Sequence, residues 1–529
     1  MPATTTAASC AGPPQPTLAQ RFPRFSADAG SSRLRQLERL RERARRFAQQ
    51  HARGRALEID RRAREDPRFF DWELVRAGAS EGLLSFLIPK QAGGGGGLAT
   101  EAAIVMEELC AACPGIALIF GAHALGISPL LLGGPSQWDG VLAQLVASEA
   151  QERPMLMACA ITEPEAGTDV EDPDLLARGR ITTHARPVPG GYRLTGTKRF
   201  ISNGSVARWI TILMPTDPRN PAQTWTCFLL DTRSEGFSIA RVESKMGQRA
   251  CPAAELSLQE VFVPAERVVG RPGDGAAATM IVLACSRPPV AAIATGIASG
   301  AYERVRDWIA SGGQAADLRN RQHVQLQLAS MEEEIHLARQ AYIDAATEVD
   351  QVALGGALRH PLVRALGHVP PSVRRSSLMR GWITSPRAAD ATVAVMRRTT
   401  SDRAVTRSLA LSSLAKAHCA DVAMRVTTAA LDLVGMRDVP VRAELQKLWR
   451  DAKLTQIYEG TNQLNRIEVH RGLCAQETIS CLPPLRAAAH PNRESPATAA
   501  ATGAGRQDPL IGPAAGADRQ LVRARGGER

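Results

Sequence analysis

The spacing of apolar residues changes period twice along this 529-residue chain, and each change marks a boundary that the fold must respect. From residue 34 to about 150 apolar positions recur at helical intervals, as in Leu37, Leu40, Ala44, Phe47 and Ala48, broken by Leu87-Ile88-Pro89 and the glycines at 93–97. From about 154 to 269 the pattern shortens to strand-length stretches at 209–214, 225–230 and 256–258, separated by Pro, Gly and Asp turn signals. Beyond Gly275 long helical patterns return, clearest at 293–308, 323–350 and 408–434. With 44% hydrophobic residues, a chain this long can bury more than one core. The expectation is an α+β multidomain protein: a helical N-terminal domain over 31–153, a middle β barrel or sandwich over 154–270, and a C-terminal antiparallel helical bundle over 271–481.

Residues 1–30, rich in Ala, Thr, Pro and Gly, and 482–529, rich in Ala, Pro, Gly and Arg, offer too little apolar surface to offset ordering entropy and are expected to be disordered tails. The N-terminus lacks the charged start and apolar core of a secretory signal, and prolines at 13, 14 and 16 argue against the amphipathic helix of a transit peptide. Ten cysteines form no regular framework, and Cys110-Ala111-Ala112-Cys113 has neither a second pair nor nearby histidines, so reduced thiols, no metal site and a cytoplasmic location are expected. The uncharged run at 115–134 has the length of a membrane span, but Pro129, His123 and five glycines interrupt it. A net charge of +11 permits acidic partners such as an acidic protein or nucleic acid, although the excess is spread widely and a solvated surface explains most of it.

Three segments carry chemistry. Glu459 stands in Ile457-Tyr458-Glu459-Gly460-Thr461, just before an apolar-periodic helical stretch, where a glutamate ordinarily just complements the positive helix end. Upstream lie Ala160-Ile161-Thr162-Glu163-Pro164-Glu165-Ala166-Gly167-Thr168-Asp169 and Gly196-Thr197-Lys198-Arg199-Phe200-Ile201-Ser202-Asn203-Gly204. In the first, Pro164 and Gly167 impose a turn, and Thr162 and Thr168 offer hydroxyls. In the second, Ser202-Asn203-Gly204 also reads as a β-hairpin turn. Taken in order, with Gly82-Leu83-Leu84 leading to Ile88-Pro89, Lys245-Met246-Gly247 leading to Val263-Pro264, and Arg450-Asp451-Ala452-Lys453, these segments resemble the acyl-CoA dehydrogenase family from about residue 33 to about 474.

The resemblance implies flavin-dependent α,β-dehydrogenation of an acyl thioester in fatty acid metabolism, acyl-CoA by default. No side chain accepts hydride, and no Gly-x-Gly-x-x-Gly fingerprint suggests a nicotinamide, so the implied cofactor is FAD. Glu459 would be the base that takes the α-proton, its pKa raised when an apolar acyl group strips water from it. Its backbone N–H would donate to the thioester oxygen, with Gly460 allowing the close approach. The cofactor set implied is Ile161 and Thr162 at the flavin pyrimidine side, Gly167 and Thr168 near the pyrophosphate, Phe200 and Ser202 where the family usually has Trp and Thr against the flavin ring, and Thr461. The substrate set implied is Thr168, Arg287, Tyr458, Gly460 and Arg471; the two arginines read equally well as ion-paired surface residues. Some relatives carry their base on the helix before Arg287, but Ala284-Cys285-Ser286 holds no carboxylate. The resemblance also implies two buried helices with a turn between them at 115–134 rather than a membrane crossing, an electron-transfer flavoprotein as partner, and a homo-tetramer or homo-dimer.

The chain departs from the family pattern in three places. Ser311-Gly312-Gly313-Gln314-Ala315 lacks the usual Arg and Phe that hold the FAD of a neighbouring subunit, and Asp432-Leu433-Val434-Gly435-Met436 replaces Gln-x-x-Gly-Gly. An insertion expected at about 351–408 carries ten arginines between Arg359 and Arg407, either a basic arm for CoA phosphates, an acidic carrier protein or another subunit, or a solvated elaboration. Alternatives therefore stay open: a dehydrogenase of carrier-protein-bound acyl groups, one subunit of a heteromer, or a non-enzymatic nucleic-acid binder, against which Glu459 counts.

Overall fold

The computed structural model describes residues 16–132, 138–352 and 401–479, with isolated positions between 365 and 398. Helix α1 (Ser31–Phe47) turns Leu37, Leu40, Ala44 and Phe47 inward, the three-to-four spacing of an amphipathic helix. Helices α2 (Ala99–Ala112) and α3 (Pro114–Leu132) are buried on nearly all sides. The uncharged run is therefore one helix as far as Leu132, and the turn expected inside it falls before it, at Cys113, because Pro114 is well tolerated at a first helical position. Helices α3 and α4 (Gly275–Ser311) are both long and apolar enough to cross a membrane, but most of their apolar windows, 72% and 83%, are buried inside the protein.

The N-terminal tail begins to fold earlier than its composition suggests. Short helices at Leu18–Arg21 and Pro23–Ala29 follow a capping box between Thr17 and Gln20. Leu18 and Phe22 are buried, Phe22 edge-on to Tyr342 with ring centroids 5.8 Å apart. Two anchoring hydrophobes thus correct the expected tail boundary at residue 30. The expected tail at 482–529 lies outside the described residues.

The middle region is a sandwich of two four-stranded sheets, ordered β1-β4-β5-β8 and β2-β3-β7-β6. Its strands are β1 (Met157–Ala160), β2 (His184–Val188), β3 (Gly191–Ser202), β4 (Trp209–Pro215), β5 (Trp225–Asp231), β6 (Phe237–Val242), β7 (Ala253–Pro264) and β8 (Val268–Val269). Ile210, Ile212, Phe228 and Leu230 face Leu194, Leu256 and Val261 between the sheets, while Trp209, Leu213 and Leu229 face Ile127 and Leu130 of α3. A strand covered on both faces reads as an unbroken apolar run, which is why 209–214 shows no alternation. Ser202-Asn203-Gly204 is not a hairpin turn, because β3 and β4 belong to different sheets. Asn203 (φ 60°) carries the chain across, its amide donating to Ile119 O at 2.8 Å.

The C-terminal region comprises α4, α5 (Gln322–Val352), α6 (Asp402–Val434), α7 (Val439–Thr455) and α8 (Asn462–Val469). Ser401 caps α6 by accepting from Ala404 N, so 402–408, expected within the insertion, are the opening turns of a core helix. Most of the remaining insertion lies outside the described residues; one described position, Asp390, pairs with Arg271 at 2.6 Å. Helices α4 and α2 touch backbone to backbone, since a Cβ at Gly296 or Gly300 would collide with the carbonyls of Glu107 and Ala111. Just after Arg287, α4 contains Pro288 and Pro289. Proline has no N–H for the carbonyl four residues earlier, and the hydroxyl of Ser412 on α6 donates to Ala284 O instead, at 2.9 Å.

Candidate active site

Helix α7 stops at Thr455 and α8 starts at Asn462, and the turn between them holds two consecutive left-handed residues, Glu459 (φ 56°) and Gly460 (φ 78°). A non-glycine residue there costs about 1–2 kcal/mol, so the surroundings must hold it. Three side chains do. Arg287 Nε donates to Glu459 O at 3.1 Å, Asn465 Nδ2 reaches the carbonyls of Gly460 and Thr461 at 2.9 Å each, and Lys416 Nζ donates to Gly460 O at 2.6 Å and Asn462 Oδ1 at 3.1 Å. A Cβ on Gly460 would sit within 3.0 Å of Glu171 Oε2, Arg287 Nη2 and Asn465 Nδ2, so the crowding that demands glycine comes from the protein itself.

Beneath this turn lies a buried charged cluster. Arg287 is fully buried, pairs with Glu468, donates to Ser413 Oγ at 2.8 Å and lies 3.6 Å from Glu171. Burial pushes Glu171 up to about 7, against the pull of Arg287, and pushes Lys416 down to about 7, with repulsion from Arg287 acting the same way. Arg287 is thus no surface residue. Its work is to hold the Glu459 peptide, and it does not line the cavity described next. Arg471, paired with Asp172 at 2.6 Å, does not line it either.

The side chain of Glu459 faces a cavity of about 190 Å³ that it shares with Tyr458, Ser202, Ser286 and an apolar wall including Leu118, Phe120, Leu125, Val290 and Ile293. Ser286 Oγ donates to Glu459 Oε2 at 2.6 Å. Burial pushes the Glu459 carboxyl above its usual range, while the Ser286 bond and the charges of Arg287 and Lys416 pull it back. Tyr458 is half-buried, its hydroxyl accepting from Gln248 Nε2 at 3.3 Å. Removing the serine bond in Ser286→Ala should therefore move the Glu459 pKa higher still, and since a base works deprotonated, the acid limb of the kcat/KM profile should shift to higher pH. Ser286→Thr should restore it; a superimposable alanine profile would contradict the role.

The two upstream segments meet at a second buried ion pair. Lys198 on β3 donates to Ile161 O at 2.7 Å and to Glu163 at 3.0 Å, and its ammonium lies 4.9 Å from the Trp225 ring centre. Burial lowers Lys198 to about 8. Glu163 also accepts from Thr182 N at 2.7 Å and from the Thr183 hydroxyl, and burial, which would raise its carboxyl, is outweighed by the Lys198 charge and these bonds. This pairing fixes the 161–168 turn to β3, with Arg199 N donating to Thr162 O at 3.0 Å. Ile161 and Thr162 are half-buried, and Gly167 has open space above it, with nothing within 4 Å of a would-be Cβ. Thr168 opens a short 3-10 turn. Phe200 (φ 59°) sits in the bulge of β3, 54% exposed, with the Arg199 guanidinium 4.7 Å from its ring centre. The Thr461 hydroxyl accepts from Leu464 N as the cap of α8, leaving its O–H free to donate.

The structure thus brings Glu459, Tyr458 and Ser202 together on one cavity and leaves Arg287 and Arg471 off it. Sequence reasoning missed Ser286, Lys416, Asn465, Glu468, Glu163 and Lys198. The available signal was polarity in inward stripes: Ser412, Ser413 and Lys416 on the buried face of α6, and Asn465 and Glu468 on that of α8.

Comparison with known proteins agrees with this layout. Residues 35–149 match the N-terminal domain of acyl-CoA dehydrogenase, 158–261 its middle domain, and 273–359 with 384–474 its C-terminal domain; the break at 360–383 lies inside the arginine-rich span. The chain is 31% identical over 397 residues to cyclohex-1-ene-1-carbonyl-CoA dehydrogenase of Syntrophus aciditrophicus, covering 75% of this chain and 80% of that one. It is 28% identical over 435 residues to a probable acyl-CoA dehydrogenase of Mycobacterium leprae, covering 82% and 94%. The structure of butyryl-CoA dehydrogenase from Megasphaera elsdenii superposes with a TM-score of 0.64 at 26% identity, covering 83% of this chain and 98% of that one. On the fold, the three domain matches and this identity, the chain belongs to the acyl-CoA dehydrogenase family.

Proposed function

We propose that this protein dehydrogenates an acyl thioester, acyl-CoA by default, between its α and β carbons, with Glu459 as base. The observation that carries the reading is the Glu459 carboxyl, raised in pKa by burial and held by Ser286 on the wall of an apolar cavity. Such a wall excludes water, so a carboxylate there is a stronger base than one in solvent. Ser286 fixes one oxygen of Glu459, and the grip of Arg287, Asn465 and Lys416 on the peptides behind it keeps the carboxyl aimed into the cavity. Taking the α-proton leaves Glu459 neutral, which its place on a largely apolar wall favours.

The residues fit FAD. Phe200 offers an exposed aromatic face, Ser202 a hydroxyl near the cavity, and Gly167 an approach unobstructed by side chains; Ile161, Thr162, Thr168 and Thr461 complete the proposed set. When bound, FAD would accept the β-hydride, a step no side chain can perform. An electron-transfer flavoprotein as the onward electron acceptor, a homo-oligomer and a cytoplasmic location belong to the same proposal. The eight cysteines among the described residues are all free thiols, which suits a reducing compartment.

The test is anaerobic mixing of the purified flavoprotein with a panel of acyl-CoAs while following flavin absorbance. Loss of the oxidised flavin band with at least one saturated acyl-CoA is expected; a flavin that no acyl-CoA bleaches would overturn the reading. Turnover of one acyl group on CoA and on a carrier protein then separates those two thioesters.

A further inference from the structure

The cavity that holds Glu459 is lined by a second carboxylate that the reaction does not use. Asp350, in the last turn of α5, is 3% exposed yet lines this cavity beside Phe86, Leu98 and Val349. Its Oδ1 accepts from Ala99 N at 2.8 Å, and its Oδ2 accepts from Thr100 N at 3.2 Å and lies 3.5 Å from Arg33 Nη2. Arg33 is itself shared with Glu101, also at 3.5 Å. The charge of Asp350 is therefore met by the first N–H groups of α2, by the Thr100 hydroxyl beside it and by one long, divided ion pair.

Burial, joined by repulsion from Glu101, keeps Asp350 up at about 6 despite these bonds, the Thr100 hydroxyl foremost among them. A buried carboxylate on a largely apolar wall favours a donor and penalises another anion.

Resting on the dehydrogenase reading, we propose that Asp350 is a specificity-determining residue that selects acyl thioesters carrying a hydrogen-bond donor, an ammonium or a hydroxyl, away from the reacting carbons, and rejects those carrying a carboxylate there. A plain hydrocarbon chain would be accepted but would offer Asp350 no donor.

The experiment measures kcat and KM of the holoenzyme on acyl-CoAs matched in length and ending in methyl, hydroxyl, ammonium or carboxylate. One of the donor-bearing chains should exceed the methyl chain in kcat/KM by about tenfold, mainly through KM, as a charge-assisted hydrogen bond would give. The carboxylate chain should be the poorest. In Asp350→Asn, which can still accept from Ala99 N, an ammonium preference should collapse to within about twofold of methyl, whereas a hydroxyl preference should partly survive. An ammonium preference should also weaken as pH falls through about 6, where Asp350 takes a proton. A parent enzyme that turns over the methyl chain best, or a folded Asn variant with unchanged selectivity, overturns the inference. The parent comparison decides even if the variant fails to fold. Turnover of no acyl-CoA at all would instead overturn the dehydrogenase reading and this inference with it, whereas brisk turnover without selectivity overturns the inference alone.

Discussion

Glu459→Gln is expected to lower kcat for acyl-CoA dehydrogenation by about 10²–10⁴-fold, the range that general-base catalysis contributes. Glutamine has the same shape and can still accept from Ser286 Oγ through its amide oxygen, so the turn with φ 56° at residue 459 should persist. KM should change little, because the loss falls on the chemical step. The parent rate should rise with pH as the burial-raised Glu459 carboxyl loses its proton, and the Gln variant should lose that dependence. Flavin bleaching by substrate in single-turnover mixing reads both quantities. Equal bleaching rates in parent and variant would remove Glu459 from its assigned role.

Arg287→Met should destabilise the fold by about 3–5 kcal/mol, the cost of leaving a buried charge without its partner. Methionine approximates the length of arginine but supplies none of the bonds to Glu459 O, Ser413 and Glu468, and it leaves Glu171 without its nearest cation. The loss should depend on pH in a defined sense. Glu171, raised to about 7 by burial, binds its proton more readily folded than unfolded, so its contribution is favourable below the ordinary carboxylate pKa and is lost as pH rises through about 7. Removing Arg287 takes away the charge that restrains this rise, so the variant should be most impaired at pH 7–8 and recover partly towards pH 5. Urea denaturation at the two pH values checks this, and a loss below about 1 kcal/mol at pH 8 would mean the cluster is not the support described here.

Much of this architecture was legible in the residues, for identifiable reasons. Periodicity revealed the helices around 323–350 and 408–434 because each buries a stripe, whereas that around 293–308 is buried without a break from Ile293 to Ala301, and β4 is covered on both faces. The order of three short motifs pointed to the family and to Glu459. Positions whose meaning depends on partners far along the chain were not legible. Arg287 looked as much like an ion-paired surface residue as a substrate-site one, since nothing local shows that Glu468, 181 residues away, encloses it. Gly460 looked like an opening for a ligand, whereas its neighbours are Glu171, Arg287 and Asn465. Leu18 and Phe22 were hidden in a composition typical of disordered tails, and they dock the segment together with Arg21, which pairs with Glu107 and Glu108.

The prolines after Arg287 bear on how the site comes into being. Helix α4 cannot satisfy the carbonyl of Ala284 from within its own length, and it is the Ser412 hydroxyl of α6 that closes the gap. Ser286 and Arg287, the two residues of α4 that address Glu459, sit at this splice. Their alignment is consequently a property of the assembled bundle and not of the segment that encodes them. Any loosening of α6 would first be felt as a misaimed carboxyl, with helical content still nearly intact.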